Sequence, residues 1–429
     1  MEYVGWVVRW VLVAVVLLMA LVGFLFIMRG TAVRHVRGVG AEGTPVAPHE
    51  PQFPLSVAVL TGMLLSPGNR VELALNGDGT YPRLWDDLRS AQQYVTLQMY
   101  YGKPGRVADT LAAILLERAA AGVRVLVLYD AFGTQGMSPD QLAKLRQGGV
   151  TAVPFRPLRL STLYVLQNRS HVRGIVIDGR IGWTGGFGLD DQWLGDGHTG
   201  GAWRETNVRF EGPAVRQLQA VFAAAWTEAT GDLLSGRGTV DRYEGGVAMA
   251  GLFHGSPTLG STAAERLLAL SIAGARNTLY VTNAYFAPDD NFVRLLVEAA
   301  RRGVDVRLLL AGPRTDVRVA RAAGRARYAE LLAGGVRIYE WQPSTLHAKS
   351  FVADGLWSSI GTMNFDNRSL VLNDEVTLMV LDEEFGRDMD ALFVADLQHA
   401  VEILGRAAGE DDQAPAVEGR LHHMLDARG

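Results

Sequence analysis

Two stretches of the chain carry the same chemistry-bearing pattern in the same order, and this duplication constrains the fold more than any other feature. His171 to Gly179 and His347 to Gly355 are short β-type runs closed by Asp-Gly. One offset, 176 residues, relates His171 to His347, Asp178 to Asp354 and Gly185 to Gly361. Upstream, Ala91-Gln92-Gln93-Tyr94-Val95-Thr96-Leu97, ending near Tyr101, matches Ala275-Arg276-Asn277-Thr278-Leu279-Tyr280-Val281, ending at Tyr285. Between these markers, Leu111 to Gly122 and Leu295 to Gly303 are helical patterns stopped by Gly. They are followed by the β-rich runs Val123–Leu128 and Val304–Leu310. Gly closes a helix in a conformation other residues resist, and a Val/Leu run after it starts a strand. Such junctions recur by chance in ordinary α/β enzymes, but three markers in one order indicate a repeat. The expected fold class is α/β, with two pseudo-repeated halves, each a mixed β-sheet covered by helices.

The rest of the chain flanks this body. Trp10 to Met28 carries no charge, and about twenty such residues cross a bilayer. A signal peptide would have a shorter apolar core and a small-x-small cleavage site, so a retained transmembrane helix is expected. Arg29, Arg34 and Arg37 on one flank outweigh Arg9 on the other, which puts the body on the cytoplasmic side of a cytoplasmic membrane in a single-pass arrangement. The organisation read from the sequence is an anchor and basic flank over 1–37, a Gly/Pro/Ala/Glu linker over 38–54, a first half over 55–245, a second half over 246–406 and a loose tail over 407–429.

Strand alternation puts His347 and Lys349 on one face. An imidazole near neutral pKa can attack phosphorus or shuttle protons, and an ammonium beside it can hold a phosphate oxygen. Asp354 is an odd number of residues from His347, so it belongs to the turn and the site architecture. A single His-x-Lys is ordinarily a polar strand face; two copies, each closed by Asp-Gly, are not. Glu205 and Glu375, each following one copy, are candidates for the buried carboxylate that fixes an imidazole tautomer. The chain has no Cys, so thiolate nucleophiles and thiolate-held metals are excluded. Its net charge of −4 lacks the basic excess that non-specific nucleic-acid binding needs.

His347-x-Lys349-x4-Asp354, followed by Gly361, Asn364, Arg368-Ser369 and Glu375, resembles the HKD signature of the phospholipase D superfamily. The two copies, the Tyr285-Phe286-Ala287-Pro288-Asp289 segment and the apolar N-terminus resemble its bacterial cardiolipin synthase branch, over about Val71 to Gly405. The resemblance implies a bilobed body with both motifs at one site. It also implies transfer of a phosphatidyl group between phospholipids, phosphatidylglycerol above all, through a phosphohistidine with no cofactor or metal. The implied site residues are His171, Arg173, Asp178, Glu205, His347, Lys349, Asp354, Asn364 and Glu375. Phospholipid hydrolysis, nucleic-acid hydrolysis or lipid binding without turnover are the alternatives. The first copy departs from the signature: Arg173 stands where the family has Lys, and Gly188 where it has Asn. Family members also commonly carry two N-terminal membrane segments, against one here.

Two further stretches are membrane candidates. Arg314, Arg318, Arg321 and Arg325 recur at helical spacing and could attract anionic lipid, with a solvated helix face as the equal alternative. Phe155 to Leu166 mixes apolar residues with Arg156 and Arg159, as an interfacial or a buried packing segment would.

Overall fold

The structure is a computed structural model that describes residues 2–28, 31–38, 43–134, 136–157, 167–235, 245–256, 262–405 and 418–421. Its strands repeat the duplication one by one. The first half has β1 (Ser66–Leu75), β2 (Tyr94–Met99), β3 (Arg124–Asp130), β4 (Thr151–Phe155), β5 (Gly174–Ile177), β6 (Ile181–Gly185) and β7 (Thr206–Glu211). The second has β8 (Ala248–Gly255), β9 (Thr278–Asn283), β10 (Asp305–Leu310), β11 (Arg337–Trp341), β12 (Lys349–Ala353), β13 (Trp357–Gly361) and β14 (Glu375–Leu381). Read across the sheet, the order β11-β10-β9-β12-β13-β14-β8 meets its mirror image β1-β7-β6-β5-β2-β3-β4. In each half three parallel strands are followed by antiparallel ones, and the halves join where β1 pairs with β8. Two further strands, β15 (Ala400–Leu404) and β16 (Glu418–Leu421), extend the second half. Part of the expected loose tail is therefore an edge strand; 406–417 and 422–429 lie outside the described residues.

Helices α3 (Asn76–Arg89), α4 (Arg106–Ala120), α5 (Pro139–Gln147) and α6 (Pro213–Thr230) accompany the first half. The second has α7 (Ala263–Gly274), α8 (Asp290–Arg301), α9 (Arg318–Arg325), α10 (Tyr328–Ala333), α11 (Asn367–Val371) and α12 (Glu383–Leu397). Helix α8 shows why these segments are helical. Asp289 caps it by accepting from the backbone N–H groups of Asn291 and Phe292, both at 3.0 Å. Its apolar residues Phe292, Val293, Leu295, Leu296 and Val297 are all buried, and Gly303, at φ 95°, ends the turn that leads into β10. Between the halves lies a shared apolar core that joins Val172, Val208 and Phe210 to Leu252, Ala348, Ile360 and Leu378. Burying side chains of this size contributes about 1.5–3 kcal/mol each, which holds the halves as one body.

At the N-terminus, α1 (Glu2–Met28) contains one apolar window, Tyr3–Val22, that is long enough to cross a membrane and buries nothing against the body. After it, Ala32 N–H donates to Glu265 at 2.8 Å, and Asn291 donates to the Thr31 carbonyl at 2.8 Å. Helix α2 (Phe53–Thr61) packs on α7 through Phe53 and Val57. The arginine stripe is not a free face: Arg321 and Arg325 bind the buried Glu340 at 2.7 and 2.6 Å, while Arg314 and Arg318 stay exposed. Of the Phe155 to Leu166 stretch, Phe155 is buried and Arg156 binds Glu228 and Asp374; 158–166 lie outside the described residues.

Candidate active site

The two histidine motifs approach each other because each is clamped to the opposite half. His171 N–H donates to the Asp374 carbonyl at 2.9 Å, and His347 N–H donates to the Arg204 carbonyl at 2.8 Å. Asp374 and Arg204 each immediately precede a candidate glutamate, so the carboxylates are delivered crosswise. His171 Nδ1 lies 2.9 Å from Glu375 Oε2, and His347 Nδ1 lies 2.6 Å from Glu205 Oε2. In the tautomer with the proton on Nδ1, each glutamate accepts from it and Nε2 keeps the lone pair. Both glutamates are fully buried.

The carboxylates are held by different donors. Glu375 accepts from Thr362 Oγ1 at 2.5 Å and from Asn373 at 3.2 Å. Position 186, which matches Thr362, is Gly, and a Cβ there would sit 2.5 Å from the Glu205 oxygens. Glu205 instead accepts from the indole of Trp193 at 3.2 Å. That same indole explains Gly188: a Cβ at 188 would come within 2.7 Å of the Trp193 ring, which fills the space where the family signature has an Asn side chain.

The cations are equally unequal. Lys349 Nζ lies 3.0 Å from His347 Nδ1, and burial, the largest effect, pulls it down to about 7. Arg173 is buried and its Nη1 donates to His171 Nε2 at 3.1 Å. Burial also pulls both imidazoles below their ordinary value, His347 furthest; Glu375 partly offsets this for His171, while Lys349 pulls His347 lower still.

Of these groups, His171, Arg173 and His347 line a cavity of about 420 Å³ at the end of the sheet where the parallel strands finish, with Lys349 and the two glutamates behind them. One side is aromatic, with Tyr101, Trp193, Trp203 and Tyr285; Trp193, Trp203 and Tyr285 lie 5.1–5.9 Å from the His347 ring. The other side is polar, with Asn364, Asp366, Arg368, Ser369 and Asn373. Asp366 is pushed up to about 6 by burial.

Of the nine residues the sequence singles out, seven converge here: His171, Arg173, Glu205, His347, Lys349, Asn364 and Glu375. Asp178 and Asp354 do not, which corrects their place among the catalytic candidates. Both sit in turns at positive φ, 53° and 55°. Asp178 accepts from the backbone N–H groups of Gln92, Gln93 and Tyr94, fixing the start of β2. Asp354 does the same at β9 for Arg276, Asn277 and Thr278. Trp193, Trp203, Tyr100 and Asp366 are site residues that the sequence reading missed. Trp193 comes from a short 3₁₀ turn, Asp191–Trp193, in a connecting loop with no periodic signal.

With this geometry in view, known proteins give a consistent comparison. The family model described as cardiolipin synthase, phospholipase D-like domain, matches residues 84–226 and 268–397. The chain is 35% identical over 382 residues to a cardiolipin synthase of Geobacillus thermodenitrificans, covering 85% of this chain and 73% of that protein. It is 32% identical over 336 residues to cardiolipin synthase A of Pseudomonas aeruginosa, covering 78% and 68%. Among solved structures, phosphatidylserine synthase of Haemophilus influenzae superposes with a TM-score of 0.58 at 12% identity, over 81% of this chain and 90% of that one. Polyphosphate kinase of Porphyromonas gingivalis gives 0.53 at 14% identity, over 78% and 48%; at these identities both likenesses concern the fold alone.

Proposed function

The chain belongs to the cardiolipin synthase, phospholipase D-like family, and from that premise we propose that it joins two phosphatidylglycerol molecules into cardiolipin and glycerol at the cavity between its halves. The observation that carries this reading is the crossed pairing of two buried histidines with two buried glutamates.

In the first step, Nε2 of one histidine attacks the phosphodiester phosphorus. The bond from phosphorus to the glycerol oxygen breaks, and the other histidine gives that oxygen its proton. In the second step, the hydroxyl of a second phosphatidylglycerol gives its proton to this histidine and attacks phosphorus. The phosphorus–nitrogen bond breaks, which returns both imidazoles to their starting state. The glutamates stabilise each imidazole as it gains charge. Arg173 and Lys349 neutralise the phosphoryl oxygens, with Arg173 passing from His171 Nε2 to phosphate when substrate enters. Burial favours the neutral form that the attacking imidazole requires; the histidine that acts as acid takes up a proton on Nε2 from solvent as the anionic phosphodiester binds, and the second step restores that proton.

The α1 helix supports membrane association; in this reading it crosses the cytoplasmic membrane once, with 55–245 and 246–406 as two halves of a cytoplasmic body. The test is purified full-length protein with glycerol-labelled phosphatidylglycerol. Cardiolipin and free glycerol in equal amounts are expected, and either His171→Ala or His347→Ala abolishes both. Phosphatidic acid as the main product, or near-normal turnover in either variant, would refute the mechanism.

A further inference from the structure

The segments that follow β3 and β10 lie at the same end of the sheet in the two halves, and each carries an exposed apolar side chain, Phe132 in the turn after β3 and Val319 in the first turn of α9. After β3, Asp130 Oδ1 accepts from the N–H groups of Phe132 and Gly133 at 2.9 and 3.0 Å. Gly133 lies so close to the cavity-wall residue Tyr100 that a Cβ would come within 2.1 Å of its carbonyl oxygen. The turn is thus fixed against the wall, yet it leaves Phe132 58% exposed. After β10, Asp316 accepts from the Tyr285 hydroxyl at 2.6 Å, and Thr345 donates to the Arg314 carbonyl at 2.8 Å. Val317 lines the cavity and Val319, two residues on, is 80% exposed. Isolated exposed apolar residues are common on protein surfaces; what sets Phe132 and Val319 apart is their place among cations at the site end of the sheet.

The surroundings indicate what covers them. Arg106, Arg314, Arg318 and Arg368 are exposed at the same end of the molecule, and the Lys103 side chain is 48% exposed. The anchor also leaves from this end. Without burying its Tyr3–Val22 window, α1 comes within 8 Å, Cα to Cα, of α11, whose Arg368 and Ser369 line the cavity, and the chain after α1 is tied to Glu265 and Asn291 at the start of α7 and α8. The mouth is therefore held where α1 would meet the bilayer.

We propose that the mouth of the cavity is a lipid-docking surface, with Phe132 and Val319 as paired apolar tips seated among the headgroups of an anionic bilayer. The inference rests on the phospholipid-transfer reading above and adds the surface through which substrate arrives. Apolar tips remain in the boundary layer while the cations around them meet lipid phosphates, and a lipid then reaches the histidines without passing through water.

The chain has no cysteine, so single introduced thiols report on one position each. Full-length Phe132→Cys, Val319→Cys and Val247→Cys proteins are labelled with an environment-sensitive fluorophore and reconstituted in phosphatidylglycerol vesicles that contain a shallow spin-labelled quencher lipid. Val247 is the control. It is 88% exposed and precedes β8 at the opposite end of the sheet, since β8 pairs Gly255 with the site residue Glu375. Quenching at 132 and 319 is expected to exceed that at 247 several-fold, with a blue shift at both positions. Quenching at only one of them, or none above the control, would overturn the proposal. Turnover of phosphatidylglycerol by the unsubstituted protein in the same vesicles is scored separately. Turnover without quenching faults the docking surface alone, whereas quenching without turnover supports the surface and faults the transfer reading.

Discussion

Asp354→Ala separates architecture from chemistry at this site. The carboxylate accepts from three successive N–H groups, at 2.9 Å from Arg276, 2.7 Å from Asn277 and 3.0 Å from Thr278. Hydrogen bonds to a charged acceptor are worth about 1.5–3 kcal/mol when buried, but the Asn277 interaction is exposed and the other two only part-buried. A discounted total of about 2–3 kcal/mol follows. Alanine at φ 55° adds about 1 kcal/mol, because Asp tolerates the left-handed region better than Ala. A loss of about 3–4 kcal/mol should lower the melting temperature by roughly 3–5 °C in a chain of this size. The assay is thermal unfolding by circular dichroism, combined with turnover at 15 °C per mole of folded protein. A lower melting temperature with near-normal turnover is expected, whereas His347→Ala should give the opposite pattern. An unchanged melting temperature with turnover abolished would refute the architectural role.

Three other outcomes follow from the site. Glu375→Gln and Glu205→Gln should each lower kcat by about 10²–10⁴-fold in steady-state assays, because each removes the acceptor that stabilises one imidazolium; an effect under about threefold would contradict the crossed pairing. Lys349, held at about 7, is charged below that pH and neutral above it, so kcat/KM should fall as pH rises through 7. Lys349→Arg should abolish that fall in a pH–rate profile, even if the overall rate drops. Gly188→Asn, which restores the signature residue, should destabilise the protein by about 1–3 kcal/mol through overpacking against Trp193, and Trp193→Ala in the same chain should recover stability in chemical denaturation.

Much of this was legible in the sequence, for identifiable reasons. The 176-residue offset from His171 to His347 survives as mirrored strand orders because β-sheet pairing repeats whenever the pattern of apolar runs and Gly stops repeats. The odd spacing from His347 to Asp354 correctly separated the aspartate from the imidazole. What could not be read was long-range. Glu375 lies 204 residues from His171 and Glu205 lies 142 from His347, and no local pattern states that the carboxylates cross between halves. The arginine stripe could not be divided from sequence into paired and exposed members, because the acceptor for Arg321 and Arg325, Glu340, lies on a separate strand, β11. Gly188 departs from the signature, and the reason, the Trp193 ring in the space it leaves, exists only in three dimensions.

The central claim, one covalent site built from two halves, is tested most directly by rapid quench, in denaturing detergent at mildly alkaline pH where a phosphorus–nitrogen bond persists, of the protein turning over phosphatidylglycerol labelled in its phosphatidyl group, followed by peptide mapping at the same pH. At most one phosphatidyl group per chain should be trapped, on the peptide containing His171 or the one containing His347. Two groups per chain, or a label on neither histidine, would contradict it.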